Sequence, residues 1–307
     1  MPDFTLETDH GVICITDTGL KNDAPAILLI HGNSSSSKIF RHMFESPNLT
    51  SKYRLITFDL PGHGASSNAP NPGRSYTMSG YADLAVHILS HLNIRSVVVF
   101  GWSLGGHIAL EMVDKLERLR RADEGGNKGA RESGKGGIEL KGLILTGTPP
   151  SLGLDQVVKA FKIPIDIKQG EGEENLMAKV HWTYEQAERI ARSSAPGGHA
   201  QLFEQWMLDD AIRTDGRARM VMFDAFVGGR GVDQVGVVEG SEVSIAVING
   251  SEEPFVDLEY VDGLEWGRLW KGECVKMEGL KHTPFWEDPV GFERLLLEFL
   301  GDCEKEG

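Results

Sequence analysis

Apolar residues along this chain fall into two distinct periods. Short unbroken runs at 26–31, 54–59, 96–101, 141–147 and 243–249, with 274–278 as a sixth, are rich in Val, Ile and Leu. Runs of this kind read as strands covered on both faces, because strict alternation arises only where one face meets water. The segments between them carry helical spacing. Strand followed by helix followed by strand predicts a mostly parallel central sheet covered by helices, an α/β fold. Residues 4–8 and 12–16 instead alternate apolar and polar positions around Asp9-His-Gly11, the pattern of an antiparallel hairpin at a sheet edge.

From Pro149 to about Gly240 the strand runs stop and helical patterns dominate, among them Tyr184–Arg192 and Gln201–Leu208. This predicts a helical lid at 149–240, inserted after the fourth parallel strand of a core formed by 1–148 and 241–307. The lid carries Phe161, Trp182, Phe203, Trp206, Phe223 and Phe226 with Met207, Met220 and Met222. Most of these are expected to fill the lid's own core and the remainder to line a pocket for an apolar chain. Between Leu116 and Lys141 the sequence turns glycine-rich and charged, which predicts a flexible surface insertion at 118–140.

Composition narrows the function classes. Hydrophobic residues make up 40% of 307, enough for one large core with an insertion. A net charge of −14 argues against nucleic-acid binding, since phosphate contacts need clustered Lys and Arg. The first residues lack a basic segment followed by an apolar one, and no stretch reaches the length of a membrane span. Cys14, Cys274 and Cys303 form no C-x-x-C and leave at least one thiol unpaired, which suits a reducing compartment. A soluble cytoplasmic protein without membrane insertion is expected; oligomeric state is not legible. His87 and His91 share a helix face, but neither H-E-x-x-H nor H-x-H-x-D-H occurs, so no metal or other cofactor is expected.

The candidate chemistry sits at Gly101-Trp-Ser-Leu-Gly105, directly after the run Ser96–Phe100 and before the helical His107–Met112. With 37 glycines in 307 residues, G-x-S-x-G arises by chance roughly 0.3 times, so the pentapeptide alone is weak. Its position between strand and helix makes it strong, because a serine on so tight a turn stands exposed above the sheet as a nucleophile elbow. Ser103 is therefore the candidate nucleophile. The run 26–30 ends in His31-Gly-Asn33, where Gly32 permits a sharp bend and places the Asn33 N–H beside that of Leu104 as an oxyanion hole.

A base and an acid should follow in the order acid, then histidine. After the run 243–248 comes Asn249-Gly-Ser-Glu-Glu-Pro254, with Glu253 the preferred acid and Glu252 left open by spacing. His282, in the loop Gly279-Leu-Lys-His-Thr-Pro284, is the candidate base, since imidazole takes and returns a proton near neutral pH. The other nine histidines are expected to be mostly solvated or capping, with His63 shaping its loop.

The chain resembles the α/β-hydrolase superfamily and, within it, the serine-dependent N-acyl-homoserine lactonases, which open the lactone of bacterial quorum-sensing signals. The resemblance rests on His31–Ser36, Asp59–Gly64, Phe100–Ile108, Thr146–Pro150, Arg213–Arg219, Asn249 with Glu253–Val256, and the block ending His282–Phe285. It implies an α/β-hydrolase fold, Ser103 as nucleophile, Glu253 as acid, His282 as base, and Asn33 and Leu104 as oxyanion donors. Gly32, Asn33 and Trp102 are expected to contact a small ester or lactone bearing an apolar acyl chain. Lys281 departs from the glycine usual before the histidine, and the 118–140 insertion is a second departure. Two other readings remain: an esterase or lactonase for another ester or macrolactone, and a ligand receptor on the same scaffold. Epoxide hydrolases and haloalkane dehalogenases of this fold carry aspartate at the position of Ser103 and are disfavoured.

Overall fold

A computed structural model of the protein describes residues 3–124, 137–162, 176–194 and 200–305. Among the described residues eight strands form one sheet: β1 (Asp3–Thr8), β2 (Gly11–Asp17), β3 (Ala26–Ile30), β4 (Leu55–Phe58), β5 (Ser96–Trp102), β6 (Glu139–Thr146), β7 (Ile245–Gly250) and β8 (Val275–Met277). Their spatial order is β1-β2-β4-β3-β5-β6-β7-β8. β1 and β2 pair antiparallel, as does β2 with β4, and the remaining pairs are parallel. All six parallel strands lie on the six apolar runs read from the sequence, and the hairpin lies at the edge.

Both faces of the sheet are covered, and the pleat sorts each strand between them. Leu28 and Ile30 pack with Tyr81, Leu84 and Ile88 of the helix Met78–His91 and with Ile108 and Met112 of the helix Leu104–Glu124. Ile27 and Leu29 point the other way, into Phe292, Leu296, Phe299 and Leu300 of the helix Pro289–Lys305. Because neither face meets solvent, no polar position survives within β3, where all five residues are buried. Each fully buried aliphatic side chain contributes about 1.5–3 kcal/mol relative to exposure, so this double layer holds the strand ends in register.

Between β6 and β7 the described residues are helical or irregular, with helices Leu154–Ala160, Tyr184–Ser194, Gln205–Arg213, Gly216–Val227 and Gln234–Glu239. The helix Gln205–Arg213 is tied to the sheet's loops. Asp210 accepts hydrogen bonds from Ser36 Oγ and Lys38 Nζ, and Arg213 donates to the Ser66 carbonyl. Of the predicted insertion 118–140, residues 118–124 continue the long helix and 139–140 open β6, because a helix already anchored by packing extends past the first charged residues. Residues 125–136 lie outside the described residues. No helix among the described residues is long and apolar enough to cross a membrane.

Candidate active site

Three loops at the carboxyl ends of β3, β5 and β7, with the loop after β8, converge on one point. Ser103 sits between β5 and its helix with φ +54°, a left-handed conformation that costs a residue with a Cβ about 1 kcal/mol or more. The surroundings enforce it. The Ser103 N–H donates to the Thr146 carbonyl at 2.8 Å, and the Ser103 carbonyl accepts from Thr148 Oγ1 at 2.8 Å and from the Gly106 N–H at 2.9 Å. A Cβ on Gly105 would lie 2.0 Å from the Ile30 carbonyl oxygen, so only glycine lets the new helix press against β3.

The histidine is held from three sides. His282 Nδ1 lies 2.8 and 3.0 Å from the two carboxylate oxygens of Glu253, and the residues are 4% and 2% exposed. Burial opposes ionisation of Glu253, but the facing imidazole and the N–H groups of Phe255 and Val256 outweigh it and hold the carboxyl below its ordinary range. Trp102 Nε1 donates to the His282 carbonyl at 3.0 Å. On either side of His282, the N–H groups of Lys281 and Thr283 donate to the two carboxylate oxygens of Glu287, pinning the loop. Glu252 is exposed and its backbone N–H bonds to the Leu280 carbonyl, whereas the carboxylate that meets the histidine is that of Glu253.

Gly147 is a part of the site that pattern reading passed over. It adopts φ +61° at the end of β6, and a Cβ there would stand 2.6 Å from His282 Cε1. Asn249 Oδ1 accepts its N–H at 2.7 Å and ties the end of β6 to β7. The glycine in Thr146–Pro150 was the available signal, but a lone glycine after a strand reads as a turn.

Ser103, Leu104, Asn33, Trp102 and His282 all border one cavity of about 430 Å³. Gly32 is not among its lining residues. It lies behind the wall, where a Cβ would meet the Trp102 ring at 2.9 Å and Ser103 Cβ at 3.1 Å, so its contribution is the close approach of the β3 loop to the serine. The rest of the wall is largely apolar. Phe161, Met222, Phe223 and Phe226 line it as the lid reading expects, joined by Val157, Leu176, Met177 and Ile190 and, from the core, by Met78 and Phe255. Trp182, Phe203, Trp206 and Met207 instead pack into the core layer beneath.

Against the expectation of mostly solvated or capping histidines, His10, His31 and His107 are buried, and His63 is buried where it shapes its loop. His31 donates from Nδ1 to the Gly32 carbonyl and accepts the Leu60 N–H at Nε2, and His63 donates to the Pro61 carbonyl. Among the described residues no group of three or more His, Cys, Asp or Glu side chains is placed to hold a metal ion. A serine at a strained turn, a buried histidine–carboxylate pair and an apolar cavity together can carry acyl transfer to water without a cofactor.

Residues 25–120 match the family model described as the alpha/beta hydrolase fold. The N-acyl homoserine lactonase AidH, solved with N-butanoyl homoserine, superposes with a TM-score of 0.83 at 37% identity, covering 99% of this chain and 97% of that one. The chain belongs to the α/β-hydrolase family. A serine-to-glycine mutant of the same lactonase, solved with N-hexanoyl homoserine lactone, matches this α/β-hydrolase at 36% identity and the same TM-score over 99% of each chain. Among curated relatives, the magnesium-chelatase 30 kDa subunit of Rhodobacter capsulatus is 40% identical over 99 residues. That match spans 32% of this chain and 33% of the relative's length.

Proposed function

We propose that this protein is a serine hydrolase that opens the lactone ring of N-acyl-homoserine lactones through an acyl-enzyme. The observation that carries the reading is His282, paired with buried Glu253 and bordering the same apolar cavity as Ser103, in a chain 37% identical over 99% of its length to an N-acyl homoserine lactonase.

Ser103 Oγ attacks the lactone carbonyl as its proton passes to His282 Nε2, while Glu253 holds Nδ1–H and stabilises the imidazolium. The N–H groups of Asn33 and Leu104 receive the oxyanion, and each such donor is worth about 3 kcal/mol in the transition state. The tetrahedral intermediate collapses with cleavage of the ring C–O bond. The ring oxygen takes the proton from His282 and remains tethered as a hydroxyl on the acyl-enzyme. Water, deprotonated by the same histidine, then attacks the ester, and N-acyl-homoserine leaves as Ser103 recovers its proton. Ring opening is favoured over amide cleavage because an ester carbonyl is the more electrophilic and its cis geometry in the ring is strained. The apolar wall supports an acyl chain as the neighbouring group. We further propose a cytoplasmic setting, supported by three widely spaced cysteines that form no C-x-x-C.

Mass spectrometry of a medium-chain N-acyl-homoserine lactone incubated with the protein tests this reading. A gain of one water, reversed by acid and absent with Ser103→Ala, is the expected result. Release of free homoserine lactone, or no change, overturns it.

A further inference from the structure

The cavity holds a second imidazole that the acyl-transfer chemistry leaves unused. His107 lies four positions after Ser103, in the first turn of the helix Leu104–Glu124, and borders the same cavity as the serine. It is buried yet lines the cavity, with the Phe226 and Phe161 rings at 4.8 and 6.2 Å. Its Nδ1 stands 2.7 Å from Gln234 Oε1. The same Oε1 receives the backbone N–H of Ser151 at 3.2 Å, and a backbone N–H only donates, so this end of the amide is the oxygen. An amide oxygen only accepts. The imidazole proton therefore sits on Nδ1, and Nε2 carries a lone pair. Burial, only partly offset by the Gln234 hydrogen bond, pushes the His107 pKa down to about 4, so the ring is neutral near pH 7.

We infer that His107 Nε2 is a substrate-positioning acceptor, which selects esters carrying an N–H or O–H donor on the acyl side of the carbonyl that Ser103 attacks. The assignment rests on the ester-cleaving reading of Ser103 and sharpens its substrate class. In an α-acylamino ester the nitrogen is two bonds from the attacked carbon, inside the cavity that Ser103 and His107 both line. A hydroxyl on the acyl chain would reach the same lone pair from further out. A substrate with an oxygen in that place sets lone pair against lone pair in an apolar wall, where no water relieves the mismatch. Gln234 acts through His107 by fixing its tautomer, which makes Gln234 a positioning residue.

The test compares kcat/KM of the full chain on two ethyl esters, N-butanoylglycinate and butanoyloxyacetate, which differ in N–H against O, each normalised to its hydroxide-catalysed rate. The matching pair of α-substituted γ-butyrolactones is run beside them. A preference of roughly tenfold or more for the N–H member is expected, and it should vanish in His107→Phe. Equal normalised rates in the wild-type protein together with no gain from a 3-hydroxyl on the acyl chain, or a preference retained in folded His107→Phe, overturn the assignment. The wild-type comparison stands even where the variant fails to fold. Discrimination within the ethyl esters with neither lactone opened upholds His107 and removes the lactone reading; cleavage of none of the four removes both. A third comparison, 3-hydroxybutanoyl against butanoyl chains, identifies the donor: a gain from the hydroxyl together with indifference to N–H upholds the acceptor and assigns it to the chain.

Discussion

The indole N–H of Trp102 donates to the backbone carbonyl of His282 at 3.0 Å, joining the residue before the serine turn to one 180 positions away. Because the Trp102 ring is buried, this bond fixes the height of the histidine loop over β5. Trp102→Phe keeps the ring and removes the donor, leaving a buried carbonyl unpaired at a cost of about 1 kcal/mol or more. The expected result is a several-fold to tenfold fall in kcat with a small loss of melting temperature, read by ester hydrolysis and calorimetry.

Ser103 combines strain with chemistry. Ser103→Gly removes the Cβ from the left-handed position, and stability should rise by about 1 kcal/mol while turnover falls by about 10⁴-fold or more. Urea titration and an ester assay read the two effects. Undiminished turnover would falsify the nucleophile assignment.

The two adjacent glutamates separate cleanly. Glu253→Gln replaces the buried carboxylate beside His282 Nδ1, and activity should drop by about 10³–10⁴-fold, as expected when a triad histidine loses its charge partner. Glu252→Gln, at an exposed position, should leave kcat within twofold or so of wild type. Equal losses from the two substitutions would contradict the pairing.

Gly147→Ala tests the floor of the site. The added methyl would meet His282 Cε1 at 2.6 Å in a backbone conformation that already disfavours a side chain. A fall in kcat of about 10²-fold, with circular dichroism unchanged, is expected from a displacement of the ring by about 1 Å.

Mild acid should destabilise the fold. Burial holds His31, His63 and His107 below the ordinary histidine value, His107 at about 4. The unfolded chain takes up these protons near 6.5, so between pH 6.5 and 4 it binds more protons than the folded state and stability declines as the pH falls. For His107 the full effect is about 3 kcal/mol. Glu253 adds to the loss only below about pH 4.5, since its carboxyl is held low in the folded state. Urea midpoints at pH 7, 6 and 5 should fall steadily, and less steeply in His107→Asn. A flat profile would show that these histidines are not neutral in the folded protein.

The sequence by itself determined the parallel strands, their double cover and the serine turn. Those features are written in neighbouring residues: a run such as Ala26–Ile30 is apolar because both of its faces are buried, and Gly105 is glycine because β3 is in the way. Sequence preferred Glu253 but spacing left Glu252 open, since adjacent side chains differ only in which way the loop turns them. Only the tertiary structure decided that Glu253 faces His282, that Gly147 lies under the imidazole, and that His107 is buried against Gln234. Each of these is a contact between segments about 30 to 140 positions apart, brought together by the packing of helices on a common sheet, and no local pattern of residues records such a meeting.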